Sequence, residues 1–458
     1  MDTAVRLAAS AAPRQGVGLA LVLLAIIATA VNLRTAVTGF SPLLERIGAD
    51  LGFGAALFGV FGTIVTASFA VFGLLTPLVA RRAGLETTIA VATLLTTLGI
   101  LLRAFAPNAA LLVASTIVAF AGIGASNVLI VPIVKKYFPD RLKSVSSLYL
   151  SLLQLGQFVA PLIAVPVAMA TGWRFAIGVW AVLTAVACVL WLAVVLRARR
   201  RPATDASGVT SGTQHPKTVP SHAGGPTPSS PATPSTPSIP STPGVPAGRI
   251  AGAWRTPLLW ALVLMFGMTA LNTYVVITWL PSIFVDAGAD PALGGSLLAL
   301  FSIFGLGAAF VIPPLTIRMR NPFPVVLVCA VLLAIGYTGL LVAPLEGAVA
   351  WVVALGLGVS TFPMTLTLVN ARTRTPAGSS MLSGAMQGIG YAVACVGPLC
   401  IGLIYSATGV WEGAYALLYV SIGVLVVSGF VACRPRPLEE LAAERSTPPR
   451  EVKPTAAR

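Results

Sequence analysis

The sequence predicts an all-helical membrane protein with twelve transmembrane helices, arranged as two related six-helix bundles. Three observations predict this fold. Of the 458 residues, 56% are apolar and only 9% are charged; apolar stretches of membrane-spanning length recur along the chain; and basic residues gather in alternate connections between them. A water-soluble globule of this size needs more polar surface than this composition supplies. We therefore expect the lipid bilayer to be the main partner of the chain.

Twelve stretches are long enough to cross a hydrocarbon core of about 30 Å, which takes about 20 helical residues. Each stretch must be helical, because lipid offers backbone amides no hydrogen-bond partner. They cover residues 18–40, 56–80, 85–105, 108–133, 145–170, 173–196, 258–280, 293–317, 323–342, 348–369, 381–406 and 411–431. The first six form a predicted bundle of residues 18–201, and the last six a bundle of residues 255–433.

Residues 202–254 separate the two bundles. Pro, Ser, Thr, Gly and Ala dominate this segment, so it lacks the apolar surface needed to fold. We expect a disordered cytoplasmic linker that tethers the halves, with a regulatory or docking segment as the alternative. Residues 1–17 and 434–458 are the expected N-terminal and C-terminal tails.

The basic residues predict the orientation, because cytoplasmic loops carry an excess of Lys and Arg. With the N-terminus inside, all but four of the 29 basic residues fall on the cytoplasmic side. The four exceptions are Arg34, Arg46, Arg103 and Arg174. We expect a multi-pass protein of the bacterial cytoplasmic (inner) membrane with both termini in the cytoplasm.

The two halves repeat at a separation of 240 residues. Asn32, Thr38 and Asp50 return as Asn272, Thr278 and Asp290, each set at the end of the first helix of its half and in the connection that follows. Such a repeat implies a pseudo-two-fold axis along the membrane normal, with a cavity between the halves.

Polar side chains inside the predicted helices are few, and in lipid they must face partners or water. The candidates to line a central site are Arg34, Asn32, Asn127, Gln154, Tyr274, Gln387 and Tyr391. Arg34 has two interpretations, since its long side chain can either bind a ligand or extend to the headgroups. For isolated Ser and Thr residues, bonding to their own backbone is the better interpretation.

Residues for other chemistry are missing from the predicted helices. All fourteen acids map to loops or helix ends, which leaves no carboxylate to carry protons at mid-membrane. Both histidines lie in the linker, and the five cysteines form no CxxC pair, so we expect no metal, no cofactor and no catalytic residue. The basic residues are in short loops, so we expect no nucleic-acid partner. Nothing implies an oligomer, and we expect a monomer that is not an enzyme.

An ordered set of motifs resembles one known family. In the first half these are Asn32-Leu33-Arg34-Thr35-Ala36, Pro42-Leu43-Leu44, Asp50-Leu51-Gly52, Arg81-Arg82-Ala83-Gly84, Phe138-Pro139-Asp140-Arg141 and Gly172-Trp173-Arg174. In the second half they are Trp279-Leu280-Pro281, Phe362-Pro363-Met364, Ser383-Gly384, Gly390-Tyr391, Gly397-Pro398 and Thr408-Gly409. Together they resemble the cyanate and 2-nitroimidazole transporter branch of the major facilitator superfamily.

The resemblance implies the major facilitator fold and alternating-access transport of a small polar or anionic organic molecule. It also favours a substrate role for Arg34. Two departures stand out: Arg81 replaces the acidic residue of the general loop motif, and Asn272-Thr273-Tyr274 replaces an aromatic-rich middle of helix seven. Multidrug or metabolite efflux on the same fold remains the first alternative. A membrane sensor without transport is a remote one.

Overall fold

Membrane-spanning helices make up most of residues 18–199 and 253–446, which are the residues that the computed structural model describes. Within these ranges twelve helices are long and apolar enough to cross a membrane, which confirms the predicted fold class. The predicted tail of residues 1–17, residues 202–252 of the linker and residues 447–458 lie outside the described residues.

We number the spans in chain order. Spans 1 to 6 are Leu19–Thr38, Ala55–Ala83, Leu85–Ala104, Ala109–Tyr137, Leu142–Thr171, and Trp173–Gly178 with Trp180–Arg199. Spans 7 to 12 are Pro257–Asp286, Pro291–Arg318, Phe323–Val342, Ala348–Gly358 with Thr361–Ala371, Pro376–Ala394 with Val396–Thr408, and Glu412–Ala432. Two short helices, Leu44–Leu51 and Leu438–Ser446, complete the set, together with 3-10 turns at Ser41–Leu43, Pro139–Arg141 and Ala253–Arg255.

Local sequence explains several of the span boundaries. Single glycines at positive φ, Gly84 (85°) and Gly172 (91°), join spans 2 and 3 and spans 5 and 6, and only glycine adopts this backbone conformation without strain. Span 8 begins where the Asp290 side chain accepts a hydrogen bond from the Ala292 amide at 2.7 Å.

Spans 10 and 11 are each broken just before a proline. Thr361–Ala371 contains Pro363, and Val396–Thr408 contains Pro398. A proline has no N–H and its ring collides with the carbonyl four residues earlier, which in these spans belongs to Val359 and Ala394. The two breaks fall at these positions.

We name the two ends of the molecule after residues found there. The Asp50 end carries the connection between spans 1 and 2, and the Arg82 end carries the connection between spans 2 and 3. At the Asp50 end the halves pack tightly, since Ser41 Oγ donates to the Ile277 carbonyl across the interface. A β-carbon on Gly59 of span 2 would lie only 2.5 Å from the Pro398 carbonyl oxygen of span 11.

Toward the Arg82 end the space between the halves widens. A β-carbon added to Gly73 of span 2 or Gly384 of span 11 would meet nothing within 4 Å. Val131 of span 4 and Leu366 of span 10 are 41% and 38% exposed near the same end. The halves are therefore packed tightly at the Asp50 end and leave more room at the Arg82 end.

The residues after span 12 include a helix within the predicted tail of residues 434–458. This helix, Leu438–Ser446, begins where the Leu438 amide donates to the Arg372 carbonyl at 2.8 Å. Glu439 Oε1 accepts from the Arg374 and Thr375 amides at 3.0 Å each, so it links this helix to the residues just before span 11. The Ala253–Arg255 turn, which includes the last two residues of the predicted linker, packs against this helix.

Candidate substrate-binding site

Arg34 lies in span 1 and points into the gap between the two halves. Its Nη1 donates a hydrogen bond to the Tyr274 hydroxyl of span 7 at 2.5 Å, and its guanidinium carbon lies 5.3 Å from the centre of the Phe69 ring of span 2. A side chain held in this way does not extend to the headgroups, so the structure removes that interpretation. Arg34 and Tyr274 are also 240 residues apart, which is the period of the repeat. The pseudo-two-fold axis therefore passes between them.

Aromatic rings from several spans surround this pair. The Tyr391 ring of span 11 lies 5.3 Å from the Phe69 ring and 6.3 Å from the Tyr274 ring. We call Arg34, Phe69, Tyr274 and Tyr391 the Arg34 cage. Phe266 packs against the cage, with the centre of its ring 5.0 Å from that of the Tyr391 ring. The cage thus combines one cation, two hydroxyls and several flat apolar faces.

The positive charge of Arg34 has no anionic partner in the part of the chain that the structure describes. Arg34 takes part in none of the ion pairs formed within residues 18–199 and 253–446. Aromatic faces stabilise a desolvated cation by about 2 kcal/mol, whereas removing an ion from water costs several kcal/mol. The side chain is only half-buried, so the open side of the gap remains accessible to a ligand. An anion is the ligand that this arrangement complements.

Two glutamines lie on spans that border the gap. Gln154 of span 5 is half-buried, and its Nε2 lies 2.8 Å from where a β-carbon on Gly305 of span 8 would be, so it packs across the interface between the halves. Gln387 lies one helical turn from Tyr391 and donates to Ser383 Oγ at 2.9 Å within its own span. Whether either amide contacts a ligand stays a prediction.

Comparison with known proteins identifies the family. Residues 21–395 match the model of the Major Facilitator Superfamily. The chain belongs to this superfamily. It is 28% identical over 416 residues to the 2-nitroimidazole transporter of Escherichia coli K12, covering 90% of this chain and 95% of that protein. It is 24% identical over 413 residues to the cyanate transport protein CynX of the same organism, covering 89% of this chain and 96% of that protein. These findings confirm the resemblance that the motifs predict.

Solved structures agree on the fold. The nucleoside transporter NupG superposes with a TM-score of 0.66 at 11% identity, covering 90% of this chain and 99% of that one. The peptide transporter POT superposes with a TM-score of 0.65 at 18% identity, covering 95% of this chain and 99% of that one. At these identities the likeness shows the fold alone. Together with the family match, it makes this major facilitator protein a membrane transporter and not an enzyme.

Asn32 faces away from the Arg34 cage, and Asn127 stays a prediction. Asn32 faces the interior of the first bundle, where it is 4% exposed and its Nδ2 donates to the Ala28 carbonyl at 2.8 Å. The structure does not bring Asn32 to Arg34, because two residues along a helix differ by about 200° in direction. Asn127 of span 4 is half-buried and forms no hydrogen bond within residues 18–199 and 253–446.

The repeat partner of Asn32 has the same orientation in the second bundle. Asn272 Nδ2 donates to the Met268 carbonyl at 2.7 Å, and Asn272 Oδ1 accepts from the Tyr337 hydroxyl at 2.8 Å. In the first bundle Asn32 Oδ1 has no such donor. The two asparagines are therefore parts of the bundle interiors in this transporter.

The search for polar residues missed the apolar part of the cage. Phe69 and Phe266 carry no polar group. They therefore look like ordinary apolar residues of a membrane helix, and the charge pattern gives no sign of them. One signal was present, since Phe266 and Tyr274 are eight residues apart and so lie on one side of span 7. Arg103, which the sequence marks only as one of four basic residues off the cytoplasmic side, is buried in the structure, with 1% of it exposed.

Proposed function

We propose that this transporter moves a small organic anion across the membrane by alternating access and that Arg34 binds it in the gap between the halves. The observation that carries the proposal is the guanidinium of Arg34, which forms no ion pair within the described residues and lies in an aromatic cage on the pseudo-two-fold axis. A residue on this axis contacts both halves, so a ligand bound there couples to their relative movement. The relatives named as transporters of 2-nitroimidazole and cyanate support a small substrate.

The geometry suggests how the anion is held. A guanidinium forms two parallel hydrogen bonds with a carboxylate or a similar planar anion, and it stays charged at any cellular pH. The substrate would displace the Tyr274 hydroxyl from Arg34 and then accept a hydrogen bond from it. The rings of Phe69 and Tyr391 would flank the substrate and exclude water, which strengthens these bonds.

The orientation is part of the proposal. The basic residues gather at the Arg82 end, so we place this end, both termini and residues 202–254 in the cytoplasm of a bacterium and the Asp50 end outside. The conformation described above then opens to the cytoplasm. Substrate would reach the Arg34 cage from the other side after the Asp50 end parts and the Arg82 end closes.

The energetics limit the transport mode. Moving one negative charge inward against an inside-negative potential of 100 mV costs about 2.3 kcal/mol. The acids of the sequence lie in loops or near helix ends rather than at the Arg34 cage. We therefore propose exchange, outward flux, or uptake of the substrate as its neutral acid.

Efflux of uncharged flat compounds is the second candidate function. It is favoured by the aromatic rings around Arg34. Phe266 meets Tyr391 edge to face and Phe362 at a tilt, with ring centres 5.0 and 5.1 Å apart. Under this alternative the rings bind the substrate and the charge of Arg34 matters little.

Substitution of Arg34 distinguishes anion transport from efflux of uncharged compounds. Purified protein in liposomes is tested for transport of a panel of labelled small carboxylates, cyanate and a neutral nitroimidazole. For an anionic substrate, Arg34→Lys loses one of the two parallel hydrogen bonds and lowers transport about ten- to a hundredfold. Arg34→Gln removes the charge and abolishes transport. Arg174→Lys is the matched control, because Arg174 forms an exposed ion pair with Asp50 at 2.9 Å in the same half.

Near-normal transport of every anion by the Arg34→Lys variant would refute the anion site. Transport of the neutral nitroimidazole that survives Arg34→Gln would instead support the efflux function. All variants are compared at equal amounts of correctly inserted protein, so that loss of folding is separated from loss of binding.

A further inference from the structure

Two carboxyl groups from opposite halves face each other at the tightly packed Asp50 end. Ser41 Oγ donates to the Thr278 carbonyl at 3.1 Å, which brings the residues after span 1 against span 7. Four residues further along each chain segment are Glu45, in the helix Leu44–Leu51, and the buried Ser282. Glu45 interacts there with the Ser282 hydroxyl and with the charge of Asp286, the last residue of span 7.

Asp286 lacks the cation that a comparable aspartate has in the first half. At this end of each half an aspartate accepts a hydrogen bond from a tryptophan N–H at the start of the last span, at 3.0 Å in the first half and 3.2 Å in the second. In the first half Asp50 also pairs with Arg174 at 2.9 Å. In the second half Asp286 receives its other hydrogen bond from the neutral Tyr405 hydroxyl, at 2.6 Å.

The charges of Glu45 and Asp286 are not balanced by a cation. Neither of them forms an ion pair within residues 18–199 and 253–446, and neither does Arg46, which is exposed on the same short helix as Glu45. Burial raises the pKa of Glu45 to about 7, although the Ser282 hydroxyl lowers it, and the negative charge of Asp286 raises it further. The other titratable or charged side chains at this end are those of Asp50, Arg103, Arg174, Asp290, Glu346, Tyr405 and Glu412.

We propose that Glu45 and Asp286 form a pH-sensitive switch, in which packing of the halves at the Asp50 end is coupled to the uptake of one proton by Glu45. Packing partly removes the Glu45 carboxyl from water and holds it near a second carboxylate, so its ionised form opposes packing and its neutral form permits it. Separation of the halves returns Glu45 to water, where it releases the proton.

The switch sets the conformation of the transporter and does not itself carry protons across the membrane. Its proton enters from the water at the Asp50 end and leaves to the same side, because the packed halves lie between Glu45 and the Arg82 end. The switch rests on the alternating conformations of the fold. It does not depend on the charge of the substrate, which would bind at the Arg34 cage.

The direction of the pH dependence follows from the raised pKa of Glu45. Below its ordinary pKa of 4.5, Glu45 is protonated in both conformations, and the packed Asp50 end is most favoured. This preference is lost as the pH rises through about 7. Since water and salt screen a half-buried group, we expect the ratio of packed to separated protein to fall about tenfold between about pH 5 and about pH 8.

The test measures a distance across the Asp50 end in the purified full-length protein in lipid nanodiscs. Spin labels are attached to cysteines introduced at Phe105 and Val342, with the five native cysteines replaced by serine. These positions are 77% and 76% exposed and lie at the ends of spans 3 and 9, one in each half. The population with the longer distance between the labels should increase with pH in this parent protein.

Three substitutions assign the response. Glu45→Gln has nearly the same volume and is permanently neutral, so it should keep the shorter distance throughout this pH range. Asp286→Asn removes the repelling charge and should move the midpoint of the response to lower pH. Glu346→Gln is the matched control, because it neutralises an exposed carboxylate at the same end and should leave the response unchanged.

A distance distribution that ignores pH in the parent, or a parental response in Glu45→Gln, would overturn the switch. If Glu45→Gln does not fold, Asp286→Asn decides, and a midpoint equal to that of the parent would count against the proposal. Arg34→Gln should lose transport yet keep the pH response, so the switch and the proposed anion site fail separately.

Discussion

Closure of the Asp50 end depends on glycines of span 2, and a single methyl group should disturb it. A β-carbon on Gly59 would lie 2.5 Å from the Pro398 carbonyl oxygen, and one on Gly62 would lie 2.5 Å from Thr278 Oγ1 and 2.8 Å from the Pro398 β-carbon. Ordinary contacts are longer by about 1 Å, so spans 2 and 11 would have to separate by roughly that distance. Backbone atoms in two packed helices do not yield locally as a flexible side chain does.

The magnitude follows from this overlap. Forcing an extra carbon into a tight interface costs about 1 to 3 kcal/mol. Separation of the halves at the Asp50 end would relieve this contact. Gly59→Ala should therefore shift the equilibrium between the two conformations toward the one separated at the Asp50 end, by about 1 to 3 kcal/mol. A shift of about 2 kcal/mol changes the ratio of the two conformations about thirtyfold. Gly73→Ala is the matched control, because the same methyl group in the same span meets open space.

A native cysteine reports the change. Cys395 lies at the break within span 11 and contacts span 2, where its Sγ accepts a hydrogen bond from Thr66 at 3.2 Å and its carbonyl accepts one from Thr63 at 3.3 Å. In a background with the other four cysteines replaced by serine, an impermeant thiol reagent should label Cys395 faster in Gly59→Ala than in the parent. Equal rates in Gly59→Ala, Gly73→Ala and the parent would refute the role of this contact in closure.

Three further predictions concern stability, the linker and orientation. Tyr337→Phe should destabilise the protein by about 1 to 3 kcal/mol, because it leaves Asn272 Oδ1 without its donor. Tyr415→Phe should be neutral or stabilising, because the Tyr415 hydroxyl is buried and has no hydrogen-bond partner among the described residues. Melting temperatures of the two variants and the wild type test this difference. Deletion of residues 204–243 should leave transport per inserted molecule nearly unchanged, and a loss at normal membrane abundance would show a role beyond tethering. A cysteine introduced into the same segment should resist an impermeant thiol reagent in intact cells, and labelling there would reverse the proposed orientation.

Much of the site could be anticipated from the repeat and the polar residues. Arg34, Tyr274 and Tyr391 were candidates on the sequence alone, and they meet in one cage. The 240-residue period further implies that positions 34 and 274 are equivalent, which is why they meet at the axis. Asn32 was a candidate on the same grounds and lies elsewhere, because nothing in the pattern of span 1 distinguishes its two faces.

By itself, the sequence determined the number of spans, their approximate bounds and the division into two related halves. These properties are local or periodic: a bilayer requires each apolar stretch of sufficient length to satisfy its own backbone as a helix. The tertiary structure alone decided the rotation of each span about its axis, and therefore which polar groups face the gap. A helix in lipid is apolar on nearly all sides and shows no amphipathic stripe to predict that rotation. Packing against neighbouring helices sets it, and this packing directs Arg34 into the gap and Arg103 into the first bundle.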